Sequence, residues 1–148
     1  MAGKDFSITV DINSPPEIVC RVMFDIERWA EWTASISKIE RLDSGPLALG
    51  SRARVLQPKV PPAVWQVTEL EPGHGFSWKS GSALAWAVGK HWVEAAGQGS
   101  RATLSLYFGG PLGGIIARLL SNLNNRYLGM EAAGLKQRSE SLAYSPLG

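Results

Sequence analysis

Hydrophobic and polar residues alternate with a period of two along most of the chain, which predicts a protein built mainly of β-strands. The opening strand alternates through Phe6, Ile8, Val10 and Ile12. The same period runs from residue 35 to residue 108, where turn-forming residues divide it into six further strands. These strands are predicted at 35–42, 50–57, 64–71, 75–80, 85–95 and 100–108. Because the turns have hairpin length, we expect antiparallel pairing in chain order.

The pattern becomes helical directly after the first strand. Ser14 is placed to cap a helix whose first turn contains Pro15 and Pro16, and Glu17 stands three residues after Ser14, as a capping box requires. A second short helical turn is predicted at 25–32.

The final segment, 111–142, has a helical period and is predicted as one long amphipathic helix. Its apolar stripe consists of Leu112, Ile116, Leu119, Leu120, Leu123, Tyr127, Met130 and Gly134. We expect the face formed by Ile116, Leu123 and Tyr127 to pack against the sheet. A glycine in mid-helix costs stability, so Gly134 indicates close approach of a strand or a ligand.

The order of elements is strand, two short helices, six strands and a long helix, which is not the alternation of a parallel sheet. It predicts an α+β fold in which a curved, seven-stranded antiparallel sheet wraps around the C-terminal helix. Such an arrangement leaves space between helix and sheet. The length of 148 residues fits a single domain, 1–148.

Composition restricts the classes of binding partner and the cellular compartment that we expect. The net charge is +2 and the basic residues are scattered, so a nucleic-acid partner is not expected. The single cysteine, Cys20, fits a reducing compartment, and we find no signal peptide or membrane-length apolar segment. We therefore expect a cytoplasmic protein, monomeric or homodimeric. The six tryptophans indicate an interior lined by aromatic rings.

Several segments resemble one known superfamily. They are Pro15-Pro16-Glu17-Ile18-Val19, Trp29-Ala30-Glu31-Trp32, residues 50–55, 65–70, 91–94 and 99–106, and Gly134-Leu135-Lys136 near the end of the helix. Together they resemble the polyketide cyclase/dehydrase and lipid-transport superfamily, the START-like or Bet v 1-like (SRPBCC) proteins. The resemblance implies the helix-grip fold and a pocket for a hydrophobic ligand of aromatic, polyketide-like or acyl type. It implies no particular reaction, because the superfamily has no shared catalytic signature.

The predicted strand 85–95 shows which side of the sheet faces inward. Lys90 and Glu94 belong in water, so the opposite face, with Ala87, Gly89 and His91, is the inner one. Small side chains there leave volume for a ligand.

The same parity argument, combined with the helix stripe, predicts the ligand-binding residues. They are Trp32, Val55, Gln57, Trp65, Val67, Trp78, Ala87, Gly89, His91, Leu104, Leu106, Leu123 and Tyr127. The tryptophans are expected to stack on a flat ligand, and Gln57 and Tyr127 to hold its polar end.

Two residues are candidates for catalysis. His91 acts either as a general acid–base or as an ordinary core histidine, and Glu131 either assists it or points into water. No motif indicates a metal or a cofactor. Three functions therefore stay open: a binder or carrier of a small apolar ligand, which we prefer; a cyclase or dehydratase using His91; and a protein-interaction or stress-response module.

Overall fold

A single antiparallel sheet of seven strands forms the body of the molecule, in the order β1-β7-β6-β5-β4-β3-β2. The computed structural model describes residues 4–143. The strands are β1 (Lys4–Ile12), β2 (Lys38–Arg41), β3 (Arg52–Leu56), β4 (Ala63–Glu71), β5 (Gly75–Gly81), β6 (Trp86–Ala96) and β7 (Gly99–Gly109). Strands β2 to β7 each pair with the next strand in the chain, as the turns in the sequence predicted, whereas β1 pairs with β7 and thereby extends the sheet.

The strand parity predicted for the middle of β6 is confirmed. Gly89, His91 and Val93 are buried, while Lys90 and Glu94 are exposed. Since neighbouring strands share a pleat, this assignment fixes the inner face of the sheet as far as Val67 of β4, where the register shifts between Val67 and Glu69.

Four helical segments accompany the sheet: α1 (Pro16–Phe24), a 3₁₀ helix (Ile26–Glu31), α2 (Gly113–Leu119) and α3 (Ser121–Ala143). Helix α3 packs against β1, β7 and α1. The predicted fold class, an α+β helix-grip arrangement with two short helices after the first strand, is confirmed.

The predicted Ser14 cap is wrong. The N-cap residue of α1 is Pro15, with extended backbone and no side-chain capping bond. The following Pro16 disfavours helical backbone at Pro15, so the helix boundary falls one residue later than the Ser14 pattern indicated. Ser14 instead uses its carbonyl oxygen, which accepts a hydrogen bond of 2.6 Å from the Ser100 hydroxyl.

The prediction of one continuous C-terminal helix is also wrong. The chain turns at Leu120, which ends α2 before α3 begins at Ser121. Leu119, a member of the predicted stripe, is 79% exposed. The turn lets α2 cover the end of β7 while α3 runs on toward β1 and α1.

The buried face of α3 differs from the predicted one. It consists of Asn124, Leu128, Ala132, Leu135 and Ser139, together with Gly134, whereas Leu123 and Tyr127 are only half-buried. The sequence prediction chose the helix face with the most large apolar side chains. The face that is buried also contains small residues, because the neighbouring backbone lies close to the helix there.

Gly134 shows this close packing directly. A Cβ atom at this position would lie 2.0 Å from the carbonyl oxygen of Trp32. The predicted close approach is therefore confirmed, but the partner is the backbone after the 3₁₀ helix rather than a strand or a ligand.

An aromatic cluster occupies the centre of the core. Trp29 is 2% exposed, and its ring centroid lies 5.4 Å from that of Trp78 and 5.0 Å from that of His91. Its indole N–H donates to the carbonyl of Met23 at 3.0 Å. The 3₁₀ helix is thus fixed against the inner face of β5 and β6.

Candidate functional site

A cavity of about 210 Å³ lies between the inner face of the sheet and α3. The strands contribute Val55, Ala63, Trp65, Trp78, Ala87, Gly89, His91, Ser105, Leu106 and Phe108. Helix α3 contributes Asn124, Tyr127, Leu128 and Glu131. The remaining boundary comes from connecting segments, namely Trp29, Ile36, Gln57, Val60, Pro61 and Leu120. Most of this surface is apolar, and the polar groups are few.

Aromatic rings form one wall of the cavity. The centroids of Trp65 and Trp78 lie 5.6 Å apart with their planes at 37°, and Trp29 extends the wall behind Trp78. Alternating positions on β4 and β5 bring the first two rings to the same face, where their strands are direct neighbours. Such a wall offers flat apolar surface to a ring-shaped ligand.

Gly89 belongs to the packing of this wall. A Cβ atom there would lie 3.1 Å from Nε1 and 3.2 Å from Cδ1 of Trp78. The missing side chain therefore lets the edge of the Trp78 ring lie against the β6 backbone. The expectation that Gly89 simply leaves empty volume is corrected, because Trp78 fills part of that space.

His91 lies at the inner end of the cavity, enclosed by aromatic rings. It is 9% exposed and stacks on Phe76 with a centroid distance of 4.7 Å. Burial lowers the pKa of His91 to about 4, and a hydrogen bond with the Phe76 backbone acts weakly in the opposite direction. Its Nδ1 has no hydrogen-bond partner among the described residues. His91 is therefore uncharged at neutral pH.

Glu131 projects from the middle of α3 toward the cavity, so the alternative that it points away into water is not what the structure shows. Burial raises the pKa of Glu131 to about 8 and is the only cause of the shift. No cation or hydrogen-bond donor within residues 4–143 compensates its charge. The residue as a whole is half-buried; with a pKa of about 8, its carboxyl group is mainly protonated at neutral pH and can donate a hydrogen bond.

His91 and Glu131 border one cavity without forming a pair. The pKa of each is displaced by burial and not by the other group. At neutral pH the cavity thus contains a neutral imidazole and a neutral carboxylic acid.

Three other polar side chains at the cavity differ in whether their hydrogen-bond donors already have an acceptor within the protein. Gln57 donates to the Ser35 carbonyl at 3.2 Å, and the Tyr127 hydroxyl donates to the Pro58 carbonyl. Asn124 is 8% exposed, and its Nδ2 has no acceptor in the described part of the chain. Gln57 and Tyr127 therefore hold the 57–62 segment in place, while Asn124 retains an unused donor.

Most of the predicted ligand-binding residues border the cavity. These are Val55, Gln57, Trp65, Trp78, Ala87, Gly89, His91, Leu106 and Tyr127. Val67, Leu104, Trp32 and Leu123 lie outside its boundary. Val67 and Leu104 do face inward and are buried, because strand parity identifies a face but not which part of it the helices cover.

Several boundary residues were missing from the sequence prediction. Asn124 and Leu128 share a helix face with Glu131, which was predicted, so a stripe through Leu128 instead of Leu123 would have found both. Val60 and Pro61 lie in a loop, where periodicity gives no signal.

Two other depressions are grooves at the surface. The larger, about 640 Å³, lies between the end of β1, the β6–β7 turn and Lys136. The other, about 480 Å³, lies between the segment 30–34 and the end of α3. Most of their residues are at least partly exposed, so both grooves are more open to solvent than the internal cavity.

Within residues 4–143, no helix has the length and apolar character needed to cross a membrane. In the same range, no group of three or more His, Cys, Asp or Glu side chains is arranged to hold a metal ion.

The fold and the cavity define a class of protein, the helix-grip proteins whose sheet encloses a cavity against the C-terminal helix. The chain belongs to the family described as "Polyketide cyclase / dehydrase and lipid transport", which matches residues 4–140. This confirms the resemblance found in the sequence. No curated protein matches the chain significantly.

Solved structures share the fold at low sequence identity. The protein TTHA0849 from Thermus thermophilus has a TM-score of 0.75 and 18% identity over 95% of this chain and 99% of that chain. The hypothetical protein jhp0584 from Helicobacter pylori has a TM-score of 0.74 and 13% identity over 93% and 87%. Ara h 8.0201 has a TM-score of 0.69 and 15% identity over 93% and 98%. At these identities the likeness concerns the fold alone.

Proposed function

We propose that the protein binds and carries a small, mainly apolar ligand of one or two rings in the internal cavity. The observation that supports this most is the cavity itself, because protein interiors are close-packed and contain few voids larger than a water molecule. A closed apolar cavity of about 150 Å³ is enough to hold benzene. The cavity here, about 210 Å³, is larger than that and is lined by tryptophan rings.

The position of the cavity also supports a binding role. It lies where the sheet and α3 separate, and one side is formed by the loop residues Val60 and Pro61 rather than by regular structure. Loops move more readily than strands, so we assign the entry of the ligand to this side. The cytoplasmic location and the oligomeric state stay predictions from the sequence.

The test is binding of 2-ethylnaphthalene, an uncharged two-ring probe, measured by equilibrium dialysis against the full chain. We expect saturable binding at one site. Ala87→Leu places a larger side chain on the cavity wall and is expected to weaken binding at least tenfold. Gly89→Leu is a poorer choice, because its new side chain collides first with Trp78.

Val88→Leu provides the matched control, because Val88 is the next residue on the same strand and faces the other side of the sheet. It should bind the probe like the parent protein. If Ala87→Leu does not unfold cooperatively, Ala63→Leu at the opposite wall replaces it. Equal binding by a folded cavity-filling variant and the parent would refute the proposal.

A second candidate, an enzyme of the cyclase or dehydratase type, is favoured by one observation. His91 and Glu131 border the same cavity, and their environments move their pKa values apart, as acid–base pairs in enzymes often require. Against this, a histidine with a pKa of about 4 is a weak base at neutral pH. We therefore rank the binder first.

The two candidates are separated by His91→Gln, which keeps a polar group and removes the titration. A binder should hold its ligand with at most a modest change. An enzyme acting on a poly-β-keto mimic should lose turnover by about a hundredfold or more, the usual contribution of acid–base catalysis. The third function, a protein-interaction or stress-response module, needs no cavity and so gives no reason for the one observed.

A further inference from the structure

The polar groups of the cavity restrict the chemical class of the ligand. No lysine or arginine is among the described residues that border it. The charged side chains on the elements packed against α3 are exposed. They are Glu17 and Arg21 of α1, Lys4, Asp5 and Asp11 of β1, Arg101 of β7 and Arg118 of α2. An anionic ligand would therefore lie in the cavity without a counter-charge, at a large desolvation cost.

Two side chains with unused hydrogen-bonding groups, Asn124 and Glu131, lie on one face of α3, and in the described part of the chain Nδ1 of His91 on β6 is a third such group at the cavity. Asn124 and Glu131 are seven residues apart, which is two helical turns or about 10 Å along the axis. Leu128 lies between them on the same face, and all three border the cavity. Gln57 and Tyr127, by contrast, already donate to backbone carbonyls.

Unused donors in a buried site favour a ligand that supplies an acceptor. Leaving a buried polar group unpaired costs about 1–3 kcal/mol, and Asn124 Nδ2 is such a group. Rotation of the Asn124 side-chain amide also allows its donor to be turned toward a ligand. The Glu131 carboxyl group has no nearby cation among the described residues to stabilise its ionised form. It is therefore in its acid form and can donate its O–H to a ligand.

We infer that the ligand is an uncharged molecule of one or two rings with a hydrogen-bond acceptor, such as a ketone oxygen, that lies against Asn124 or Glu131 while its rings lie against Trp65 and Trp78. This rests on the proposed function and narrows it. It selects neutral carbonyl compounds over hydrocarbons of the same shape and excludes aromatic and fatty carboxylates.

Three probes of nearly the same size separate these cases at pH 6.5: 2-acetylnaphthalene, 2-ethylnaphthalene and 2-naphthoate. We expect the ketone to bind about 2- to 10-fold more tightly than the hydrocarbon, the range that one net hydrogen bond provides. The carboxylate should bind at least tenfold more weakly than the ketone. Equal affinity of ketone and hydrocarbon, or a carboxylate that binds as tightly as the ketone, would overturn the inference.

The variants Asn124→Leu and Glu131→Leu test which of the two hydrogen-bond donors causes the preference for the ketone over the hydrocarbon. At least one should lower the ratio of ketone to hydrocarbon affinity to about one, whatever it does to the affinity for 2-ethylnaphthalene alone. Asn125→Leu is the matched control, because Asn125 is adjacent on the same helix and exposed. If neither variant changes the ratio of ketone to hydrocarbon affinity, the acceptor does not lie against α3.

The pH dependence supplies an independent measurement. As Glu131 ionises near pH 8, it loses its O–H, so ketone affinity should fall between pH 7 and pH 9. His91 and Tyr127 are the other titratable side chains that border the cavity. Glu131→Gln stays neutral and keeps a donor, so it should retain the preference and remove the pH dependence. A fall in affinity that persists in Glu131→Gln counts against the role of Glu131.

Failure of this inference differs from failure of the proposed function. If none of the three probes binds at any pH, the cavity is not a binding site and the proposed function is wrong. If 2-ethylnaphthalene binds but the ketone has no advantage, only the chemical class of the ligand is wrong.

Discussion

At the scale of single residues, the cavity is a place where two ionisable groups are kept neutral. Glu131 and His91 are shifted in opposite directions relative to their ordinary pKa values, both by burial. Burial disfavours whichever form is charged, so it raises the pKa of an acid and lowers that of a base. The folding equilibrium must therefore depend on pH.

The stability of the protein is expected to decrease as pH rises above about 6.5. The pKa of Glu131 is about 8 in the folded state against 4.5 as its ordinary value, so the folded state binds more protons in this window. Linkage then lowers the free energy of unfolding by up to about 1.4 kcal/mol per pH unit until the pH reaches about 8. Urea unfolding at several pH values measures this slope.

Glu131→Gln should remove most of that slope, whereas Glu140→Gln on the same helix should keep it. The pKa of Glu140 is lowered, chiefly by its hydrogen bond with Lys136, and so lies below the window. Between pH 4 and 6.5 the lowered pKa of His91 acts in the opposite sense, because its unfolded state binds the extra proton. An equal slope in Glu131→Gln and the parent would contradict the burial of this carboxyl.

Two glycines of α3 provide a residue-scale comparison. Gly134→Ala should destabilise the protein by about 1–3 kcal/mol, the usual cost of overpacking, because its Cβ would lie 2.0 Å from the Trp32 carbonyl oxygen. At Gly129, apart from the neighbouring residues and backbone of the same helix, no atom of residues 4–143 lies within 4 Å of the added Cβ. Gly129→Ala should therefore stabilise the helix by up to about 1 kcal/mol.

Thermal and urea unfolding of the two variants measure this contrast. If Gly134→Ala stabilised the protein as Gly129→Ala does, the Trp32 backbone would not lie as close to Gly134 as described.

At the scale of elements, the contact between α3 and the 57–62 loop determines how the cavity is closed. The loop contains Pro58, Pro61 and Pro62, and Lys59 has a left-handed backbone with φ of 71°. Its link to the helix is the hydrogen bond from the Tyr127 hydroxyl to the Pro58 carbonyl. A loop stiffened by prolines and held by the hydrogen bonds of Gln57 and Tyr127 is expected to open as a unit.

Tyr127→Phe should loosen this closure without changing the shape of the cavity. We expect a loss of about 0.5–1.5 kcal/mol in stability, the net value of one hydrogen bond, and faster release of 2-acetylnaphthalene in stopped-flow measurements. Tyr107→Phe on the opposite face of the sheet, where the ring packs against Trp86, should leave release unchanged. Equal release rates for both variants would show that the ligand leaves elsewhere.

At the scale of the whole molecule, the cavity and its unused polar groups are expected to lower the stability of the protein without a bound ligand. Asn124→Leu replaces a buried group whose Nδ2 lacks an acceptor with an apolar side chain of similar size. Proteins commonly gain stability when such sites are filled, at the expense of function.

We expect the ligand-free Asn124→Leu protein to be more stable than the parent by about 1 kcal/mol, close to the cost of one unpaired buried polar group. Urea unfolding without probe measures this, and Asn125→Leu, at an exposed position, should change stability little. A large loss of stability in Asn124→Leu would show that the amide supports the fold rather than a ligand.

The sequence by itself determined the strands, the pairing of β2 to β7 in chain order and the inner face of most of the sheet, whereas the pairing of β1 with β7 came from the structure. These follow from local rules: alternation of side chains, hairpin turns, and the exclusion of Lys90 and Glu94 from the interior. That is why Trp65, Trp78, Ala87 and His91 were found, since strand parity alone brings them to one side.

Only the tertiary structure decided how the helices sit on that sheet. The buried side of α3 is set by the approach of the Trp32 backbone to Gly134 and by the turn at Leu120, and neither leaves a periodic signal in the chain. The orientation of α3 in turn brought Asn124 and Glu131 into the cavity instead of Leu123. The periodic pattern of apolar residues identifies which side chains can be buried. Contacts between segments that are distant in the chain decide which of those side chains border the cavity.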